Sequence, residues 1–221
     1  MRTIRITGRG MLRLKPDTTR ITLTIGGVSK EYADSLEEST KATESLKDLF
    51  AGYGFERSDL KTLNFDINAE YEGYDDKGTW RQRFVGYRYR HTLKLDFPSD
   101  RERLGKLLYG IARSSAKPEF RISYTVRDPE QAKNELIGLA VADAKAKAIV
   151  LTMAAGTELL AIQSIDYSRS EPDFEVRPMN RMMMAKGAAP EAAMDGGSYD
   201  LDVEPDDIEV TDTVTIVWEI A

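Results

Sequence analysis

Few residues of this chain could do chemistry, and the first of them is His91, its only histidine. A histidine can serve as a general base or as a metal ligand. His91 lies in the middle of an alternating apolar segment, and no Ser–His–Asp order can be built around it. This pattern favours a hydrogen-bonded structural histidine. The carboxylates are scattered over predicted turns and helix surfaces, so we expect no catalytic residues and no enzyme activity.

Sulfur chemistry is restricted to thioethers, because the chain contains no cysteine. Disulfides, thiolate nucleophiles and cysteine metal sites are therefore excluded. Five methionines cluster in a long segment, residues 168–206, that is rich in Pro, Gly, Ala and acidic residues. Such a cluster could bind a soft ion such as Cu(I), act as a sacrificial oxidation surface, or form an adaptable contact surface.

No histidine or cysteine lies near this segment to complete a metal site, so we expect no bound metal or other cofactor. The segment is too polar to form a core of its own. We expect it to project from the fold, and either to stay mobile or to contact another subunit. The candidate subunit-contact residues are Met179, Met182, Met183, Met184 and Met194.

A segment in which arginine and aromatic residues interleave, residues 80–90, could bind single-stranded nucleic acid, since stacking and phosphate pairing need both residue types. Strand alternation, however, places Tyr87 and Tyr89 on the face opposite to Arg88 and Arg90. The net charge of −6 also disfavours a general nucleic-acid or anionic-membrane binder. We therefore expect a sheet with one solvated basic face and no nucleic-acid partner.

A glycine pair, Gly8 and Gly10, interrupts the first alternating segment. The pair resembles a fragment of a phosphate-binding loop, but no third glycine, lysine or helix start follows it. A bend or bulge in a strand is the better interpretation.

One long helix, from Asp128 to Gly156, is the clearest element of the chain. Asp128 can cap its first amides, Pro129 suits its first turn, and Gly156 is a natural end. Small and apolar residues recur along it at every fourth position. We expect this ridge to be buried against the strands that precede and follow the helix: Ala132, Leu136, Ala140, Ala144 and Ala148.

The other segments complete an alternation of strands and helices. A helix over residues 29–51 carries a narrow stripe that we expect to pack on the protein's own sheet rather than on a partner helix: Ala33, Leu36, Thr40, Thr43, Leu46 and Phe50. The capping box Ser99–Glu102 opens another helix. Strand periodicity covers residues 3–7, 20–28, 60–74, 80–97, 119–127, 159–167 and 208–220, and the last two strands could pair as a hairpin. The order ββ-α-ββ-α-β-α-ββ predicts an α+β fold with antiparallel sheets packed by helices.

Several landmarks in this order resemble the SIMPL-domain family, which includes bacterial periplasmic immunogenic proteins. The stretch IRITGRGMLRLKPDTTRITLTI is similar to the family's opening strand, glycine pair, Pro-Asp turn and second strand. VGYRYRHTLKLDFPSDRERLGKLL resembles its Gly-Tyr strand and helix entry, although His91 stands where the family often has Asn. LAVADAKAKAIVLTMAAGTEL and VEPDDIEVTDTVTIVWEI resemble its alanine-repeat helix and its terminal strand, with Pro205-Asp206 in place of the usual Pro-Gly.

The resemblance implies two interlocked α/β parts, self-association that reaches large rings in some members, and no established activity. We expect one unit over residues 1–221, with approximate subparts 1–97 with 207–221 and 98–168, and with 168–206 as the methionine-rich loop. The expected function is that of a non-enzymatic homo-oligomer with a scaffold or stress-related role. The alternative is a small-molecule or soft-metal binder that uses the methionine-rich loop.

No apolar run approaches the roughly 20 residues of a membrane-spanning helix. The N-terminal residues lack the apolar core of a signal peptide. We therefore expect no membrane span and a cytoplasmic location for the chain as it stands, or a periplasmic one if a signal peptide has been removed.

Overall fold

The computed structural model describes residues 2–167, 172–177 and 204–221. It contains ten elements in the predicted order, which confirms the α+β fold class. They are β1 (Arg2–Leu14), β2 (Thr18–Ser29), α1 (Tyr32–Gly52), β3 (Lys61–Asp76), β4 (Thr79–Pro98), α2 (Arg101–Arg113), β5 (Glu119–Thr125), α3 (Pro129–Ala155), β6 (Leu159–Asp166) and β7 (Ile208–Ile220).

The chain divides into two compact units, each built from separate segments. Unit 1 comprises Met1–Asp17, Thr125–Val176 and Pro205–Ala221, and unit 2 comprises Thr18–Tyr124 and Arg177–Glu204. These boundaries differ from the subparts drawn from the sequence, because β1 belongs with α3 and β7 whereas β2 belongs to the other unit.

Unit 1 is a three-stranded antiparallel sheet with α3 packed on it. The strand order is β1-β7-β6, which confirms the predicted pairing of the last two strands as neighbours in antiparallel register. Alternate residues of β7 face the helix and are buried with the ridge of α3, among them Val214, Ile216 and Trp218. The helix is capped as predicted: the Asp128 carboxylate accepts the N–H of Gln131, and Gly156 ends it in the left-handed conformation.

The glycine pair of β1 marks the closest approach of α3 to the sheet. A Cβ placed on Gly8 would lie 2.1 Å from the carbonyl oxygen of Ala140, and one on Gly10 would lie 2.2 Å from that of Leu136. The register between β1 and β7 runs unbroken from Arg2 to Leu14. The expectation of a bend or bulge at these glycines is therefore wrong. Their role is to leave room for the buried ridge of the helix.

Unit 2 is a four-stranded sheet with the order β3-β4-β2-β5, packed by α1 and α2. The expectation that β5 lies against the long helix is wrong, since β5 pairs with β2 in this sheet. The cap of α2 also differs by one residue from the predicted capping box. Asp100, not Ser99, accepts the N–H of Arg103, while the Ser99 hydroxyl accepts a hydrogen bond from Thr19.

Candidate functional site

The predicted subunit-contact residues Met179, Met182, Met183, Met184 and Met194 lie outside the described residues, so their role stays a prediction. The residues that the structure does describe offer four places to examine. These are the surroundings of His91, a buried carboxylate in unit 1, the β3–β4 hairpin, and the free edge of the unit 1 sheet.

Helix α1 turns hydroxyl groups toward the sheet, and this face differs from the predicted stripe. Leu36, expected to be buried, is 46% exposed. Thr43, Leu46 and Phe50 of the predicted stripe are buried, and Ser35 and Ser39 are buried with them. The hydroxyls are satisfied where they are buried, as polar groups at such sites must be: Ser35 Oγ, for example, donates to the carbonyl oxygen of Tyr87 at 2.7 Å.

His91 is bound by hydroxyl groups on both sides of its ring. The Thr43 hydroxyl donates its proton to the carbonyl of Ser39, at 2.8 Å, so its oxygen is left to accept the Nδ1–H of His91 at 3.1 Å. The other ring nitrogen, Nε2, then accepts a hydrogen bond from the Thr62 hydroxyl at 2.9 Å. The arrangement fits one neutral tautomer of the ring.

The electrostatics around His91 favour the same neutral form. Burial, and to a smaller extent the charge of Lys47, lower the pKa of His91. Ser39 Oγ lies 3.4 Å from Nδ1, a nitrogen already used by Thr43, so His91 is not placed to activate Ser39 as a nucleophile. The geometry supports the structural role predicted for this histidine.

An open groove of about 250 Å³ lies beside His91, between α1 and the strands β3 and β4. Its wall combines hydroxyl groups, an aliphatic and an aromatic side chain, and the ion pair between Glu44 and Lys47. Among the described residues, no three histidine, aspartate or glutamate side chains converge as they would in a metal site. The groove is lined by Leu36, Ser39, Thr40, Thr43, Glu44, Lys47, Phe65 and His91.

A carboxylate is buried in the core of unit 1. Asp212 is 4% exposed, yet it accepts hydrogen bonds from the hydroxyl of Tyr167 at 2.8 Å and from the N–H of Thr213 at 2.7 Å. The bond to Asp212 raises the pKa of Tyr167. These donors explain how the charge is held, so a structural role accounts for it.

The far half of the β3–β4 hairpin, residues 68–88, is called the arm here. Its register shifts at Val85, where β4 has one residue more than β3. This bulge moves Phe84 to the face of Tyr87, 5.3 Å between ring centroids, whereas the strict alternation expected from the sequence would place Phe84 on the face of Arg88.

The arginines of the arm are paired with carboxylates across the two strands. Arg83 binds Glu72 at 2.9 Å, Arg88 binds Glu70 at 2.5 Å, and Arg81 binds Asp76 at 3.2 Å. The basic face expected from the sequence is therefore largely neutralised by its own strands. Phosphate groups would have to compete with these ion pairs for the arginines, and the absence of a nucleic-acid partner stays a prediction.

The outer edge of the unit 1 sheet is β6, and almost all of it is exposed. Ile162 and Ile165 pair with Trp218 and Ile216 of β7, whose side chains face the helix. Opposed residues in a sheet point to the same face, so the two isoleucines also point to the helix side. They are 52% and 56% exposed, because α3 packs mainly over β1 and β7.

The last two turns of α3 add apolar surface beside this edge. Every fourth residue of the helix is buried, so Ile149 and Met153 share a flank with Ile137 and Val141, which are partly buried against the core of unit 1. The opposite flank carries Asp143, which accepts the N–H of Arg9 on β1. Ile149 and Met153 therefore lie on the β6 side and remain 41% and 75% exposed.

Sequence reasoning predicted a subunit contact in the methionine-rich segment and did not single out this exposed apolar edge. The available signal was the composition of β6, LLAIQSID, which carries one charged residue in eight. No described helix is long and apolar enough to cross a membrane.

The sequence is similar to known proteins along nearly its whole length. The SIMPL family, described as proteins of unknown function (DUF541), matches residues 4–218. The 26 kDa periplasmic immunogenic protein of Brucella abortus is 28% identical over 191 residues, which are 85% of this chain and 75% of that protein. The uncharacterized protein YggE of Edwardsiella ictaluri is 23% identical over 206 residues, which are 93% of this chain and 82% of that protein. Because the family match spans nearly the whole chain, this protein belongs to the SIMPL family.

Proposed function

We propose that this protein is a non-enzymatic, self-associating protein whose copies join along β6. The observation that carries the proposal is an edge strand with exposed apolar side chains and almost no charge. Natural sheets normally protect an edge with charged residues or cover it, since its free N–H and C=O groups can pair with another chain.

The other edge of the same sheet shows such protection. β1 carries four arginines along its length, and Asp143 accepts one of its outward N–H groups, that of Arg9, at 2.7 Å. β6 carries only Asp166. The contrast within one sheet favours β6 as the edge that is paired in the functional protein.

A second copy of β6 fits this edge in antiparallel orientation. A twofold axis normal to the sheet would give the strand order β1-β7-β6-β6-β7-β1 and keep both α3 helices on one side. Ile162 and Ile165 of both copies would then line the space between the helices, flanked by Ile149 and Met153. Each partner would contribute the same residues, as a twofold interface requires.

We expect the association through β6 to be of moderate strength. Full burial of an aliphatic side chain is worth about 1.5–3 kcal/mol, so side chains that are half exposed gain roughly 1 kcal/mol each. Four such side chains from each copy give about 8 kcal/mol, against an association cost of about 4–15 kcal/mol. Backbone hydrogen bonds between the edges add to the gain. We therefore expect reversible, concentration-dependent association.

The matched variants Ile162→Lys and Ala146→Lys test the proposal. Both add one lysine to unit 1. Ile162 lies in the edge strand β6, whereas Ala146 lies on the solvent-exposed side of α3. Sedimentation velocity should show an oligomer for the parent and for Ala146→Lys, and dissociation for Ile162→Lys. A parent protein that stays monomeric at high micromolar concentration would refute self-association.

We also propose a periplasmic location, because relatives from Brucella are named periplasmic proteins. The expected cytoplasmic location finds no support among these relatives. Fractionation of cells that express the full-length gene would decide between the two compartments.

Small-molecule or soft-metal binding through the methionine-rich segment stays the alternative function, and it rests on the clustered thioethers alone. A thermal-shift titration with Cu(I) tests it, since a ligand selective for the folded state raises the apparent stability. An increase in melting temperature with Cu(I) that disappears when the five methionines are replaced by leucine would support metal binding. No rise would contradict it.

A further inference from the structure

The arm has two faces of opposite character. One face carries the cross-strand ion pairs. The other continues the core-facing side of the sheet beyond the first turn of α1. There Tyr32 of α1 extends a row of rings on the arm, with successive centroids 5.5, 5.3 and 5.7 Å apart in the order Tyr32, Tyr87, Phe84 and Tyr71. Trp80 follows near the tip and packs over Gly73, where a Cβ would lie 2.3 Å from the indole. No described element covers this aromatic face.

We propose that the aromatic face of the arm docks against the same face of the arm of a second copy, as an interface separate from β6. The proposal rests on the proposed self-association and deepens it by naming a second contact surface. With two separate twofold contacts, each copy can bind two neighbours, so assemblies larger than a dimer form.

The geometry of the rings indicates a protein partner. Neighbouring rings are inclined by 68° to 84°, so they do not form one flat stacking platform. Sugars and nucleic-acid bases stack on flat, accessible ring faces. Side chains of another protein can instead pack against inclined rings, and edge-to-face contacts between aromatic rings are favourable.

The charge of the arm indicates a neutral partner. The arginines that form the ion pairs point to the opposite face. On the aromatic face the one carboxylate, Asp75, is occupied by the N–H of Gly78 in the turn, at 2.6 Å. Asp75 keeps its negative charge but lies beside the turn at the tip, so the row of rings itself meets a second copy with little electrostatic repulsion.

The area is appropriate for a contact between copies. Tyr32, Tyr71, Trp80 and Phe84 are 45–73% exposed. An aromatic side chain offers roughly 150–250 Å², so these four leave on the order of 450 Å² uncovered. That is more than half of the about 800 Å² that each partner contributes to a standard interface. The arm therefore supplies a contact that is modest alone and effective beside a second one.

The absence of cysteine from the chain permits a direct test by cross-linking. Gln82 lies on the aromatic face, opposite Gly73, and Tyr74 lies on the face of the ion pairs, opposite Arg81. We expect a short bismaleimide to cross-link Gln82→Cys into covalent dimers and to leave Tyr74→Cys monomeric. Equal cross-linking of the two variants would overturn the proposal.

A second pair of variants separates this inference from the proposed function. Trp80→Thr/Phe84→Thr should reduce the parent assembly to dimers, and adding Ile162→Lys should reduce it to monomers. An assembly unchanged by the arm variant would refute the arm contact and leave the β6 contact intact. A parent that is monomeric throughout would refute self-association itself. Circular dichroism of each variant controls for loss of the hairpin.

Discussion

Replacing Gly8 by alanine should destabilise unit 1 strongly for a change of one methyl group. The added Cβ would lie 2.1 Å from Ala140 O, 2.4 Å from Ala144 N and 2.7 Å from Ala144 Cβ. Two of these atoms belong to the backbone of α3, so no rotamer change can relieve the contact. The helix would have to move away from the strand, and its buried alanine ridge would lose contact along several turns.

The loss of unfolding free energy in Gly8→Ala is the difference between two opposing contributions. Overpacking of a close-packed core costs about 1–3 kcal/mol, and a clash with backbone belongs at the upper end of this range. Alanine in a strand recovers roughly 0.5–1 kcal/mol relative to glycine. The net loss should be about 2 kcal/mol, which corresponds to a fall in Tm of about 4–8 °C for a chain of this length.

Gly138→Ala is the matched control. Gly138 lies on α3 as well, but a Cβ at this position meets nothing within 4 Å. Alanine is a better helix former than glycine by about 1 kcal/mol, so this variant should melt at or above the parent temperature. Thermal unfolding followed by circular dichroism at 222 nm measures both. A Gly8→Ala protein as stable as the parent would refute the close approach between β1 and α3.

Three further predictions address the helix ridge, the histidine and the methionine-rich segment. Ala144→Leu should overpack the same contact and cost roughly 1–3 kcal/mol in urea unfolding, and parental stability would contradict the orientation of α3. Because the pKa of His91 is lowered in the folded protein, the unfolded chain binds more protons as the pH falls below about 6.5, and stability should drop there. His91→Asn should lose this part of the pH dependence, and an unchanged slope between pH 7.5 and 5.5 would contradict the assignment. Replacing residues 179–194 by a Gly/Ser linker should preserve the circular dichroism spectrum and lower the mass in solution; loss of the spectrum would place the segment in the core, and an unchanged mass would exclude it from assembly.

The sequence predicts well those elements whose signals are local. The ends of α3 were predictable because its N-cap, its first-turn proline and its terminal glycine are adjacent to the helix they bound. The alternation of β7 was equally clear, and its predicted bounds coincide with those of the strand. The element order follows from such local periodicities.

The errors arise where the partner of a residue is distant in sequence. The residues adjacent to Gly8 and Gly10 do not explain why glycine is needed there. Both glycines contact a helix that lies more than 120 residues later in the sequence. The buried face of α1 was predicted only in part, because Ser35 and Ser39 look solvent-exposed until the strand that carries Tyr87 and His91 is placed against them. The bulge at Val85 inverts which arm residues share a face, and a periodic pattern cannot show an inserted residue.

The central claim is that copies of this protein join along β6, and amide hydrogen exchange tests it most directly. An edge strand has outward N–H groups that exchange quickly unless another chain accepts them. Exchange should be measured at high protein concentration and again after dilution to the monomer. We predict that residues 159–166 are protected at high concentration and lose this protection on dilution, while β1 at the opposite edge is unchanged. Equal exchange of β6 at both concentrations, in a protein that sedimentation shows to be associated, would contradict the claim.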